Sequence, residues 1–499
     1  MNLGKVAEAY KAALPAGELA EFGISDLDHL GVPVWTAALW PENGPFCNGV
    51  GYGATEEAAR TSAYGECVES AGAWRTMKEI PRTRASYKEL VGQYGASSVM
   101  DPVTGCLPAG SPYTPDTELE WVEARRHPGG EVVLVPVEFV ATRGADLAGY
   151  EPKLFTPITN GLGAGLDLER ALTHGILELL QRDGNGLAFR ALDRGVVLDL
   201  DGVEDEETNA ILAHLDSEGV EVKAKLAATD FGMANLYVVG EDPDPSRVRH
   251  HFTVSACGEA CHPDRERALK KSLLEFCASR ARKPFNHGPL GPIEEISPPG
   301  YVGRFREKPL GSEEDRSLED ILGWLSMPHD ELRSLLSAPF SEKKRVPFTS
   351  LPTASGLEDP EDPADLLEGL TRRLSDEDFE ILYVDVSPPN DLGVRAAKAI
   401  VPGLEVETMS YGRIGARNVR RLLDRDLGLV GIGEPPTDRP QARHVLLAEE
   451  QEVGLGGSAW FDYEAADHIV GPLYPLYREP GRHVVALEAE RRGIRGVRE

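Results

Sequence analysis

Three stretches of the chain place acidic residues at one shared offset. Glu57, Ala59 and Glu66 form the first set, Glu169, Ala171 and Glu178 the second, and Glu266, Ala268 and Glu275 the third. In a helix, side chains at i, i+4 and i+7 share a face. That rule groups Ser62 with Glu66 and Glu69, His174 with Glu178 and Gln181, and Lys271 with Glu275 and Ala278. Glutamate is a good helix former, so solvated helix positions are one reading. Carboxylates drawn from several helices have another use: they hold hard cations such as magnesium against phosphate groups. Arg182, Arg280, Arg282 and Lys283 lie close by in sequence and could neutralise phosphate. The residues thus point to a nucleotide site.

Such a site needs elements that aim the carboxylates. Each set follows a glycine-containing, strand-like segment and a polar helix cap: Thr55, Asp167 and Asp264. Glu57, Glu169 and Glu266 then fall in the first turn, where the helix dipole favours an acid. A helix of roughly 15 to 20 residues runs on in each case. The second stretch, TNGLGAGLDLERALTHGILELLQRDGNG (159–186), adds an apolar stripe of Leu172, Ile176, Leu179 and Leu180. Small residues on the same helices, Ala59, Ala63, Ala73, Ala171 and Gly175, leave room for close packing. The copies lie about a hundred residues apart, outside the periods of solenoid repeats.

Standard motifs are missing. There is no G-x-x-x-x-G-K-[ST], no H-E-x-x-H and no G-x-S-x-G. Gly49, Gly51 and Ala54 match G-x-G-x-x-A, but no ribose-binding acid follows at the expected distance. Gly161, Gly163 and Gly165 read as a turn that permits close packing. Cys257 and Cys261 have no second pair to complete a zinc site. The nucleotide site is therefore non-standard.

The 499-residue chain is 41% hydrophobic and 27% charged, a composition of ordinary globular proteins. Its net charge of -30 excludes nucleic acid or an anionic membrane as the main partner, since both require a basic footprint. No run of 18 apolar residues spans a membrane, the N-terminus lacks a signal peptide's apolar core, and six scattered cysteines suit reduced thiols. A cytoplasmic location is the expectation. Strands are expected at VPVWTAALW (32–40), EVVLVPVEFV (131–140), GVVLDL (195–200), NLYVVG (235–240), FEILYVDVS (379–387) and RHVVALE (482–488). They alternate with helices such as EETNAILAHL (206–215), which gives the α/β class. The expected division is an N-terminal segment 1–45, a core 46–290 with the three glutamate helices, an acidic Pro-rich insertion 291–375, and a C-terminal part 376–499. Two short helices are expected inside the insertion, near 318–326 and 329–337.

The assembled residues resemble the YcaO family, whose helices carry patterns close to S-x-x-x-E-x-x-E-R, E-x-x-E-R-D and E-x-x-Q-S-R. In SAYGECVES, Ser62, Glu66 and Glu69 match and Ser70 replaces the Arg. In ELLQRD, Glu178, Arg182 and Asp183 match and Gln181 replaces the second Glu. In EFCASR, Glu275, Ser279 and Arg280 match and Ala278 replaces the Gln. TNGLGAG with Asn160 is similar to the family's S-N-G-x-A-x-G, and residues 384–417 are similar to its C-terminal strand, loop and P-G-L-E segment, followed by Arg417. The resemblance implies a composite fold with three strand–glycine turn–helix repeats around a non-standard ATP site. It implies Glu66, Glu69, Glu178 and Glu275 as Mg2+ ligands, and Ser62, Asn160, Gln181, Arg182, Ser279, Arg280 and Arg417 as ATP contacts. The implied reaction modifies a ribosomally made precursor peptide: a nucleophile adds to a backbone carbonyl and ATP phosphorylates the amide oxygen. A neighbouring Cys, Ser or Thr gives an azoline, sulfide a thioamide, an amine an amidine. No protein nucleophile is required. The chain ends RRGIRGVRE without a P-x-P-x-P tail, which turns expectation from azoline toward thioamide or amidine. Only about 45 residues precede the first pattern, so a separate leader-binding partner protein is expected; a homodimer is compatible. The alternative is a divergent scaffold that binds nucleotide or peptide for a partner enzyme, which Gln181 and Ala278 favour.

Overall fold

The computed structural model describes residues 3–389 and 392–494; Asn390 and Asp391, inside the segment 384–417, and the last five residues of the tail lie outside it. The chain folds as two units, each assembled from separated stretches. One comprises Met1–Cys67, Ala188–Ser355 and Gly471–Glu499; the other comprises Val68–Leu187 and Gly356–Val470.

The first unit holds two sheets. Gly17–Gly23, Val34–Pro41 and Cys47–Tyr52 form an antiparallel three-stranded sheet. A five-stranded sheet runs Cys257–His262, Ala234–Glu241, Glu221–Ala228, Val196–Asp199 and Lys344–Pro347; only the last pair is parallel. The Pro- and acid-rich stretch contributes heavily to this unit's core: Leu290, Ile293, Tyr301, Phe305, Ile321, Trp324 and Leu332 are all buried there. Helices Asp315–Trp324 and His329–Leu335 stand where two short helices were expected.

The second unit is built on an antiparallel sheet ordered Thr83–Ser86, Glu118–His127, Ile381–Asp385, Arg395–Ile400 and Leu162–Gly165, with Val132–Pro136 also paired to Glu118–His127. A smaller sheet joins Val430–Ile432, Ala459–Asp462 and Ala442–Val445.

Three strands each lead directly into a long helix: Cys47–Tyr52 into Glu56–Glu79, Leu162–Gly165 into Leu168–Ala188, and Cys257–His262 into Arg265–His287. The expected caps act as caps. Thr55 accepts from the Ala58 N–H, Asp167 from Arg170, and Asp264 from Glu266 and Arg267. Strand and helix touch backbone to backbone. A Cβ on Gly49 or Gly51 would lie 2.1 Å from the Ala63 or Ala59 carbonyl oxygen, one on Gly163 2.1 Å from that of Ala171, and one on Gly258 1.9 Å from that of Ser272.

One expectation is corrected. RHVVALE is not a strand: Val484–Arg492 is a helix with Val484, Val485, Ala486 and Ala489 buried. The β-branched pair suggested a strand, but four apolar residues at helical spacing meet the core and packing overrides local propensity.

The glycine seams give a direct test. Gly258→Ala forces a methyl into helix backbone and is expected to cost about 2 to 3 kcal/mol or more. Gly92→Ala, inside helix Tyr87–Tyr94 with nothing within 4 Å, is expected to stabilise by roughly 0.5 to 1 kcal/mol. Denaturant unfolding of both variants would show this opposite pair of signs; equal effects would mean the seam is misassigned.

Candidate active site

In the first unit, two of the sequence-derived glutamates act on one phenol. Tyr52 ends the strand that precedes the first glutamate helix, and its hydroxyl donates to Glu275 Oε2 at 3.1 Å. Burial, then the Glu275 charge and hydrogen bond, then the Glu66 charge all hold its proton on, against a weaker pull from Arg282. Glu66 Oε2 also accepts from the Val50 N–H at 3.0 Å. Ser62 lies on the same seam, its Cβ 2.7 Å from where a Cβ on Gly51 would sit.

Arg280 departs from expectation. It is fully buried, with Nε and Nη2 on Asp28 at 2.9 and 3.0 Å and Nη1 and Nη2 on Asp242 at 2.8 and 3.2 Å. Two buried carboxylates need a cation more than a solvated ligand does, so Arg280 is an internal counter-ion and leaves the ATP-contact set. Ser279, buried as well, accepts from the Cys257 N–H at 3.3 Å and ties the third helix to its strand. Lys283 and Arg282 pair with Glu479 at 2.5 and 3.4 Å.

In the second unit, the glycine turn before the second helix is held from several sides. Glu178 Oε2 accepts from the Gly161 N–H at 2.9 Å. Buried Lys398 donates to the carbonyls of Ile158 and Asn160 at 2.8 and 2.6 Å, and the Ala399 N–H to that of Gly161 at 2.7 Å. Asn160 Nδ2 donates to Glu407 at 3.2 Å. Gly161 has φ +90, and an added Cβ would lie 2.4 Å from the Ala399 oxygen, so only glycine fits. Burial lowers the Lys398 ammonium to about 7, although the Glu178 charge favours its proton. Arg182 stands 3.8 Å from Glu178 one helical turn earlier. Gln181 is buried and Glu69 half-buried.

Arg417 is turned inward. It grips buried Asp183 with both terminal nitrogens, at 2.6 and 2.9 Å. Asp183 also accepts from the Glu405 N–H at 2.7 Å, and Glu405 accepts from the N–H groups of Gly415, Arg417 and Asn418. Asp183, Glu405 and Arg417 therefore form a structural knot in this unit. Tyr52 and Lys398 were not anticipated. The lysine had a signal, a lone charge inside the apolar run RAAKAIV.

The match to known proteins follows this geometry. The family model described as YcaO cyclodehydratase, ATP- and Mg2+-binding, matches residues 50–405. The chain belongs to the YcaO family. It is an ATP- and Mg2+-dependent enzyme of the kind that activates backbone amides. An uncharacterized protein of Methanothermobacter thermautotrophicus is 28% identical over 405 residues, covering 79% of this chain and 91% of that protein. An uncharacterized protein in the tfuA 3' region of Rhizobium leguminosarum bv. trifolii is 27% identical over 286 residues, covering 55% and 65%. YcaO from Methanopyrus kandleri, bound with AMPPCP and Mg2+, superposes with a TM-score of 0.53 at 20% identity, covering 82% of this chain and 91% of that one. A heterocyclase in complex with substrate and cofactor gives a TM-score of 0.56 at 15% identity. The chain covers only 52% of the heterocyclase's length, and 81% of its own. At these identities the two structures establish a shared α/β fold.

The residues fit a hard cation. Among the described residues no three His, Cys, Asp or Glu side chains stand together as a ready metal cage. Magnesium does not require one: it usually binds one or two carboxylates, phosphate oxygens and water. The donors here are carboxylates, and those of Glu66 and Glu275, from separate helices, are both held at the strand Cys47–Tyr52.

Arg280→Met leaves the buried carboxylates Asp28 and Asp242 with only the His29 imidazole, 3.6 and 3.4 Å away, between them, and is expected to cost about 3 to 5 kcal/mol; a melting temperature close to wild type would return Arg280 to the ATP contacts. A pH effect is expected at buried Glu138, which lines a cavity of the second unit with Asn160, Lys398 and Arg413. Burial raises its carboxyl to about 7 from 4.5, although the Leu154 and Phe155 N–H groups oppose this. Its stabilising contribution is full below pH 4.5 and is lost as pH rises through 7. Glu138→Gln, which does not titrate, should gain on wild type between pH 5 and 8 by up to about 3 kcal/mol. Melting curves across that range would read it; a pH-independent difference would contradict it.

Proposed function

We propose that Glu66, Glu69, Glu178 and Glu275 would hold Mg2+ when ATP binds, with Ser62, Asn160, Gln181, Arg182 and Ser279 contacting the nucleotide. The observation that supports this reading best is geometric: one strand, Cys47–Tyr52, holds carboxylates of two glutamate helices, Glu66 Oε2 on the Val50 N–H at 3.0 Å and Glu275 Oε2 on the Tyr52 hydroxyl at 3.1 Å. In this reading the three strand–glycine turn–helix elements are repeats arranged around one ATP site.

ATP supplies the chemistry by turning the amide oxygen, a very poor leaving group, into phosphate. The balance is simple: a nucleophile adds to the carbonyl carbon and loses its proton, the oxygen takes the γ-phosphoryl and leaves ADP, and the C–O bond then breaks to release phosphate as a second proton leaves, from nitrogen to form C=N in an azoline or amidine, or from the added sulfur to form C=S in a thioamide. The residues of the chain position and neutralise. The glutamates fix the cation, and the turn held by Glu178 and Lys398 presents Asn160. The substrate proposed is a backbone amide of a ribosomally made precursor peptide, and the product an azoline, thioamide or amidine. The Methanopyrus protein with AMPPCP and Mg2+ and the heterocyclase with substrate and cofactor support the choice of ligands. A separate leader-binding partner protein is part of the proposal; the Rhizobium relative, named for its place beside tfuA, supports seeking that partner in a neighbouring gene. The six cysteines are thiols, which supports a cytoplasmic enzyme. No described helix is long and apolar enough to cross a membrane.

Glu178→Ala removes a magnesium ligand and the partner of the Gly161 amide. Calorimetric titration of ATP with and without magnesium should show magnesium-dependent binding by wild type and none by the variant. Equal affinities would sink the assignment.

A further inference from the structure

Taking Arg280 and Arg417 inward leaves the proposed ATP site short of the cations expected from the sequence. The first glutamate helix is short of one as well, because Ser70 follows Glu69 where the family pattern has arginine. The structure fills that place from elsewhere. Arg143, 73 residues further along the chain, donates from Nη2 to the Ser70 hydroxyl at 2.7 Å. Its backbone N–H is fixed by Asp146 Oδ2 at 3.1 Å, which also accepts from the Thr142 N–H and hydroxyl. The side chain is thus delivered from an anchored turn, Gly144–Leu147, rather than from a loose loop.

The guanidinium is half-buried, and among the described residues no carboxylate lies within ion-pair distance of it. A serine hydroxyl neither needs a full positive charge nor neutralises one. The arginines expected from the sequence differ in this respect. Arg280 has Asp28 and Asp242, Arg417 has Asp183, and Arg182 has Glu178. Arginine is also the side chain best suited to phosphate, since its planar fork matches two oxygens at once.

We infer that Arg143 is a phosphate-binding residue of the ATP site, supplying in trans to the helix the guanidinium that position 70 lacks. The inference rests on the proposed site. Ser70 is then the docking point that holds the borrowed guanidinium beside Glu69. It also explains how the helix tolerates the loss of its own arginine. Residue 143 and residue 70 form an exchangeable pair in which one arginine is needed and either position can hold it.

The test is a swap, read as Mg-ATP affinity by calorimetry on the full chain. Arg143→Ala should weaken binding at least about tenfold, the scale of one charge-assisted contact. Arg143→Ala with Ser70→Arg should return to within about threefold of wild type, which a merely structural role for Arg143 would not produce. Wild-type affinity in Arg143→Ala, or a double variant as weak as the single one, overturns the inference. If Arg143→Ala does not fold, the double variant against wild type and Arg143→Lys decides: Lys retains charge but not the fork and should bind more weakly than the double variant, and the reverse order overturns the inference. Glu178→Ala run in parallel separates the two claims. Unchanged binding there removes the site itself, whereas loss there with full binding by Arg143→Ala removes only Arg143.

Discussion

The position of every candidate ligand depends on one steric constraint: strand and helix meet with no side chain between them. Gly49 and Gly51 lie on the carbonyls of Ala63 and Ala59, Gly163 on that of Ala171, and Gly258 on that of Ser272. A strand pressed this closely to a helix fixes the helix in rotation as well as distance. Glu66 and Glu178 then reach back to strand and turn N–H groups, at Val50 and Gly161. The glutamates are precise because the glycines leave the helices nowhere else to sit. Close packing is the usual cause of such precision in protein interiors.

Charge sets the second constraint. The chain carries a net -30, and inside each unit the arginines are drawn first to buried carboxylates. Arg280 serves Asp28 and Asp242; Arg417 serves Asp183. An unpaired buried carboxylate is far more costly than an exposed ligand is rewarding, so these pairings take precedence. The glutamates of the three helices are held mainly by neutral donors, the Val50 and Gly161 N–H groups and the Tyr52 hydroxyl.

Much of this was legible in the sequence, and the failures share a cause. The three helices, their caps and most strands follow from local periodicity and cap chemistry, which need only neighbouring residues. Glu66 and Glu275 could be chosen because the offset repeats. The fates of Arg280 and Arg417 could not be read, since their partners Asp28 and Asp183 lie 252 and 234 positions away. Arg143 was invisible for the same reason: Ser70 announced a missing arginine but not its replacement. The C-terminal helix was misread because Val484 and Val485 favour strands locally, while the core they meet comes from other parts of the chain. The Pro- and acid-rich stretch was expected as an insertion, yet its apolar residues Ile293, Tyr301, Phe305, Ile321, Trp324 and Leu332 are buried in the first unit's core.

The most direct test of the central claim is a crystal structure of the chain grown with manganese, as an anomalous scatterer standing in for magnesium, and a non-hydrolysable ATP analogue. The account predicts a manganese peak about 2.1 to 2.2 Å from carboxylate oxygens of the glutamates at 66, 69, 178 and 275 and from phosphate oxygens. A manganese–nucleotide complex bound elsewhere, with those four side chains making no contact to it, would contradict the account.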